Sequence, residues 1–227
     1  MKRAIPLLAL ALTACAGGDR MDRRGLRPTA NPSAVIAAEL AFAQLAQDKG
    51  QWTAFRDTAT SDAVMFVPQT IRAQDFLKGR ANPPVAVKWQ PHQIWSSCDG
   101  SIAVTRGAWQ RPNGTGYFTT VWQRQRDGGY KWVLDQGEPL AMALDAPEMI
   151  AAKVAECKPR PAPSAALLPD RRTGQSDDGT LIWEARVDAQ CGRTLRVALW
   201  DGTKLNDVFS ATVEAPPAAE RPAGGCS

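Results

Sequence analysis

Residues 4–12 are almost continuously apolar behind Lys2 and Arg3, a polar stretch follows, and regular periodicity begins only at Ser33. From there Val35, Ala38, Phe42 and Leu45, with Ile36 and Leu40 beside them, recur at helical spacing up to Gly50. This pattern predicts a long amphipathic helix with Ser33 as its N-cap. A second, short helix is expected over 52–59, a strand over 63–67 ended by Pro68, and a third helix over 73–78 stopped by Gly79.

Beyond Pro84 the pattern changes to strands, expected over 85–95, 101–110, 116–126 and 130–138. Asp99-Gly100, Pro112-Asn113-Gly114 and Asp127-Gly128-Gly129 separate them, turn sequences that antiparallel hairpins prefer. A helix over 147–156 leads to the proline-rich run 158–163, which reads as an extended linker. Three further strands, over 180–188, 194–200 and 207–214, make a small unit that needs docking or a disulfide to be stable. The tail around Cys226 is expected to be disordered unless that cysteine is tied down. Helices followed by a meander of long strands argue for an α+β class, a curved antiparallel sheet wrapped around N-terminal helices as a cone, with a small C-terminal β unit.

The opening segment bears on location. A basic start, an apolar run too short to span a bilayer, and Leu12-Thr13-Ala14-Cys15 predict a lipoprotein signal peptide over 1–14, with Cys15 as the acylated first residue. Ala16 is not the aspartate that retains similar lipoproteins at the inner membrane, so an outer-membrane anchor facing the periplasm is expected. Residues 15–32 then form a lipidated tether, 33–140 the cone, 141–163 the helix and linker, and 164–227 the C-terminal segment.

Location changes the meaning of charge and cysteine content. The chain carries 27 basic and 23 acidic residues, yet removing those of the signal and tether leaves 21 of each from Ser33 onward. A neutral domain lacks the electrostatic footprint of nucleic-acid binding. Besides Cys15 there are Cys98, Cys157, Cys191 and Cys226, an even number suited to an oxidising compartment. Three pairings are possible, and Cys98–Cys157 with Cys191–Cys226 keeps each bridge within neighbouring segments. With no CxxC spacing and His92 as the single histidine, no metal site is expected, and no cofactor.

Several segments carry a resemblance. Gly50-Gln51-Trp52-Thr53-Ala54-Phe55, Asp62-Ala63-Val64-Met65-Phe66-Val67-Pro68, Trp89-Gln90-Pro91, Thr105-Arg106-Gly107-Ala108-Trp109, Val121-Trp122-Gln123-Arg124 and Gly129-Tyr130-Lys131-Trp132-Val133-Leu134-Asp135-Gln136-Gly137 come in that order. Together they resemble the nuclear transport factor 2-like superfamily, which shares the ketosteroid isomerase and polyketide cyclase fold. The resemblance covers roughly 33–140. It implies a cone with a pocket at its wide end and a homodimer through the sheet face, unless the C-terminal β unit covers that surface, and it leaves activity open because that fold carries isomerases, dehydratases, cyclases and plain scaffolds.

Within the cone, Asp135 follows Trp132, Val133 and Leu134, so apolar surroundings would raise its pKa and suit it as a general base. Its other reading is a strand-end carboxylate bonding a turn. His92 would assist if the two converge, as the histidine–aspartate pair of similar dehydratases does. Ketosteroid isomerases instead pair an acid with a tyrosine, and the two tyrosines here, Tyr117 and Tyr130, fall near strand starts. Six of the eight tryptophans lie in the cone. They fill a core, or else with Phe66, Trp89, Phe118 and Trp122 they line an aromatic pocket. The expected role is non-catalytic: binding of a small hydrophobic ligand, or support of an envelope assembly through the sheet's exposed face. The alternative is an isomerase, dehydratase or cyclase with Asp135 as base.

Overall fold

The computed structural model describes residues 29–158 and 171–226. The expected signal peptide, Cys15, most of the expected tether and most of the proline-rich run lie outside the described residues. The elements are α1 (Pro32–Lys49), α2 (Gln51–Thr58), β1 (Ala59–Phe66), β2 (Thr70–Arg72), α3 (Ala73–Leu77), β3 (Lys88–Ser96), β4 (Ile102–Arg111), β5 (Gly114–Arg124), β6 (Tyr130–Leu140), β7 (Ala151–Val154), β8 (Arg171–Gln175), β9 (Leu181–Val187), β10 (Arg193–Trp200) and β11 (Leu205–Val213). A seven-stranded sheet in the order β2-β1-β6-β5-β4-β3-β7 carries the helices on one face, and a four-stranded sheet β11-β10-β9-β8 covers the other. The α+β class and the C-terminal β unit are as the sequence pattern predicts.

Helix α1 is capped two residues earlier than expected, by Asn31 rather than Ser33. Asn31 Oδ1 accepts from the Ala34 N–H at 3.2 Å, and Pro32 takes the first helical position, where its missing N–H costs nothing. The start of α2 is fixed from a distance. Asn82 Oδ1 accepts from the Trp52 and Thr53 N–H groups at 2.7 and 3.1 Å, and Asn82 Nδ2 donates to the Lys49 carbonyl at 3.3 Å. Gly50 between the helices has φ of 95°, and a Cβ there would run into the Asn82 side chain. This cap orients the helix that carries Trp52 and Phe55.

Two bulges set which way the sheet residues point. β3 pairs with β4 in a register that skips His92, and β6 pairs with β5 in one that skips Val133. Each extra residue inverts the alternation beyond it. Trp132 therefore faces the helices while Leu134 faces outward, and Asp135 faces inward.

Val64, Ile102, Val104, Val121 and Leu134 on the outer face pack against Leu181, Ala185, Leu195 and Val197 of the C-terminal sheet, and Trp95 stacks on Phe209 at 5.1 Å. The face expected to hold a homodimer or an envelope partner is thus occupied within the chain. Two like turns join the sheets: Ser97-Cys98-Asp99-Gly100-Ser101 after β3, and Ser176-Asp177-Asp178-Gly179-Thr180 after β8. In each the serine hydroxyl donates to the aspartate, at 2.6 and 2.7 Å. The turns then exchange bonds reciprocally. Asp99 N–H donates to Asp178 at 2.9 Å and Asp178 N–H to Asp99 at 3.0 Å, while Cys98 N–H donates to Thr180 Oγ1 and Asp177 N–H to Ser101 Oγ, both at 2.9 Å.

Two expectations are corrected. The helix over 147–156 does not form: Ala151–Val154 is strand β7, parallel to β3. The open edge of β3 supplies partners for its backbone, and just beyond it Ala155 N–H bonds Ser96 and Glu156 N–H bonds Trp200, so an extended chain stitches both sheets. The C-terminal unit has four strands, not three, because Arg171–Gln175 pairs with β9 without any apolar alternation to announce it. The condition set for the tail is met, since Cys226 is bonded to Cys191 as expected. Cys98 is bonded to Cys157, the other half of the expected pairing.

Candidate functional site

Between the helices and the inner face of the sheet lies a cavity of about 540 Å³. The helices contribute Phe42, Trp52, Phe55 and Phe76, and the sheet contributes Trp89, Trp109 and Phe118. Their rings meet edge to face, with Trp89 at 4.8 Å from Phe42 and 5.9 Å from Phe55. Two glycines give the sheet rings their seats. A Cβ at Gly116 would overlap the Trp109 ring, and one at Gly107 would stand 2.8 Å from the Phe118 ring as well as striking Gln90. Backbone without side chains is what lets these rings lie on the strands and leave space beyond them.

Asp135 is the one acidic residue among the described lining residues. It sits mid-strand on β6, opposite Thr120, whose hydroxyl donates to Asp135 Oδ2 at 2.8 Å. The turn-capping reading is therefore set aside. Burial pushes its carboxyl up to about 7, the Thr120 bond works against that, and the nearby Glu39 charge adds to it.

Glu39 is the residue that pattern reading missed. It lies on α1 between Val35 and Phe42, fully buried behind the Trp89 wall. Trp89 Nε1 donates to its Oε1 at 2.8 Å, and Thr105 Oγ1 and Trp122 Nε1 donate to its Oε2 at 2.5 and 3.0 Å. Burial raises its pKa against these three bonds. An acid at helical spacing within the apolar stripe was the available signal.

Of the four residues expected to line a pocket, Phe66, Trp89 and Phe118 do so, and Trp122 does not. Trp122 is buried behind the wall, bound to Glu39 and Thr105. His92 does not converge with Asp135. As the bulged residue of β3 it borders a separate cavity of about 250 Å³ closed by Ala143, Leu144 and Ala146. Its pKa is lowered by burial and by Arg106, and its buried Nε2 finds no partner among the described residues. The tyrosines are also elsewhere: Tyr117 packs beside Arg106 on the outer face, and the Tyr130 hydroxyl bonds the Gly100 carbonyl. Among the described residues no three His, Cys, Asp or Glu side chains gather as metal ligands, and no helix is long and apolar enough to cross a membrane.

No known family model matches the sequence, and no curated protein does. Solved structures do resemble the chain. One is a nuclear transport factor 2-like superfamily protein from Salmonella enterica, 15% identical over 48% of this chain and 91% of that one, with a TM-score of 0.36. Another is a nuclear transport factor 2-like protein of unknown function from Burkholderia xenovorans, 18% identical over 52% of this chain and 90% of that one, TM-score 0.35. A protein of unknown function with a cystatin-like fold from Methylobium petroleophilum is 10% identical over 54% and 86%, TM-score 0.37. Nothing about activity follows from these likenesses.

Proposed function

We propose that this protein is an envelope lipoprotein, anchored through acylated Cys15 to the outer membrane and facing the periplasm, that binds a small hydrophobic molecule in its cone. One observation carries the binding reading: the cone is hollow, with an aromatic-walled cavity of about 540 Å³. That volume falls in the range of small-molecule sites, roughly 300–1,000 Å³. A cone meant only as scaffold gains stability by filling such space. Native mass spectrometry of the unreduced, membrane-extracted protein tests it. A reproducible extra mass of a few hundred daltons, lost when Phe118 or Trp109 is replaced by a charged residue, is the expected result; an apo mass from every growth condition argues against it. The anchor is tested separately, since Cys15→Ser should remove acyl mass and release the protein from the membrane fraction.

Catalysis is the second reading, favoured by one observation: a carboxyl titrating near neutrality inside an apolar cavity has the properties of a general base. It would act without His92 and without either tyrosine. Asp135→Asn separates the two readings for an uncharged ligand, because a binder keeps such a ligand and an enzyme loses turnover.

A further inference from the structure

Asp135 and Glu39 lie within electrostatic range of each other on the helix side of the sheet, and among the described residues neither forms an ion pair with a basic group. Buried carboxyls are ordinarily paired with a cation or a metal. Here their surroundings are aromatic. Trp52, Phe55, Trp89 and Phe118 wall the space that Asp135 faces, and ring faces attract cations as carboxylates do. The chain itself supplies an example at the rim: the exposed guanidinium of Arg111 lies over the Trp109 ring, 4.7 Å from its centre.

Resting on the binding reading above, we propose that the cavity takes an apolar or aromatic molecule bearing a cationic amine, its nitrogen seated against Asp135 and ringed by the aromatic side chains. The groups around Asp135 are consistent with that polarity. Thr120 on β5 donates a hydrogen bond to Oδ2, leaving Oδ1 without a donor among the described residues; β1 places Met65 beside it. Behind the wall, α1 contributes Glu39, a second acid. The cavity's basic lining residue is Arg111 on β4, which is exposed beside Asn113 and Gly114 at the β4–β5 turn. The cavity lining therefore holds one acid, Asp135, and one base, the exposed Arg111. A cation seated against Asp135 stabilises its ionised form, so binding releases a proton near neutral pH and tightens as pH rises.

The test compares three benzyl probes of similar shape on the full chain: benzyltrimethylammonium, its uncharged carbon isostere neopentylbenzene, and the anion phenylmethanesulfonate. Tryptophan fluorescence reads binding at pH 5.5 and pH 8, and calorimetry in two buffers reads proton release by the unaltered protein. At pH 8 the cation should bind at least about tenfold more tightly than the neutral probe, a margin that shrinks towards parity at pH 5.5 and disappears in Asp135→Asn. Calorimetry should show protons leaving on cation binding near pH 6.5, a measurement that needs no variant. Equal binding of cation and isostere at pH 8, preference for the anion, or cation binding without proton release would overturn the proposal while leaving the cavity a hydrophobic site. If none of the probes bound, the binding reading would fall with it.

Discussion

Asparagine in place of Asp135 is the most direct measure of what the cavity costs. The folded protein holds the Asp135 proton up to about pH 7, whereas an ordinary aspartate releases it near 3.8. Because the folded state binds the proton more tightly than the unfolded chain, this contribution to stability is fully present below about pH 4 and is lost as pH rises through about 7. At about 1.4 kcal/mol for each tenfold change in proton affinity, the loss is on the order of 4 kcal/mol. Asparagine carries no charge at either extreme and keeps an oxygen to accept the Thr120 hydroxyl. Asp135→Asn should therefore nearly match the parent protein at pH 4 and exceed it by on the order of 4 kcal/mol at pH 8. Urea unfolding of both proteins at the two pH values gives the quantity, and taking the difference between them cancels groups that titrate in common. A difference that does not grow with pH, or a variant less stable at pH 8, would refute the assignment of a buried, proton-holding carboxyl.

Other substitutions probe the supports of the cavity and the joint between the sheets. Glu39→Leu removes the acceptor of the Trp89 and Trp122 indoles and should cost about 2 kcal/mol in urea unfolding, since Trp122 can fall back on Thr105 but Trp89 is left without a partner. Gly116→Ala puts a methyl group where the Trp109 ring lies; a loss of about 2 kcal/mol and a changed near-ultraviolet tryptophan signal are expected. Arg193 is buried, ion-paired with Glu138 across the two sheets and stacked on Phe66, so Arg193→Ala should cost about 3 kcal/mol and Arg193→Lys should recover only part of it. Replacing Cys98 and Cys157 together by serine opens a link spanning 59 residues and should lower stability by up to about 4 kcal/mol, read as a shift in the guanidinium midpoint without reductant.

The strands of the cone were legible because alternation and Asp-Gly or Asn-Gly turns are local signals, and the four long hairpin strands need nothing else. Facing was not. The bulges at His92 and Val133 invert the alternation without any change in residue type, so no count from a strand end could place Asp135 inward and His92 in a different cavity. Strand β7 was misread because its partner, the edge of β3, is more than fifty residues away in sequence, and an alanine-rich segment looks helical when that edge is ignored. Glu39 was hidden by assumption, as a charged residue inside an apolar stripe was passed over when it was the stripe's buried acid. The repeated Ser-x-Asp-Gly-Ser/Thr turn was in plain view, and its significance depends on contact between segments about eighty residues apart.

That pair of turns has a consequence for how the protein responds to dilution. Each turn offers the other the same donors and acceptors, the self-matching arrangement by which two identical subunits ordinarily meet about a two-fold axis. Here the two halves belong to one polypeptide, so they meet at an effective concentration of the order of millimolar whatever the number of molecules present. A subunit partner would dissociate as the protein became scarce. The tethered one stays in place on a solitary molecule, and the outer face of the cone sheet is kept dry without a second copy.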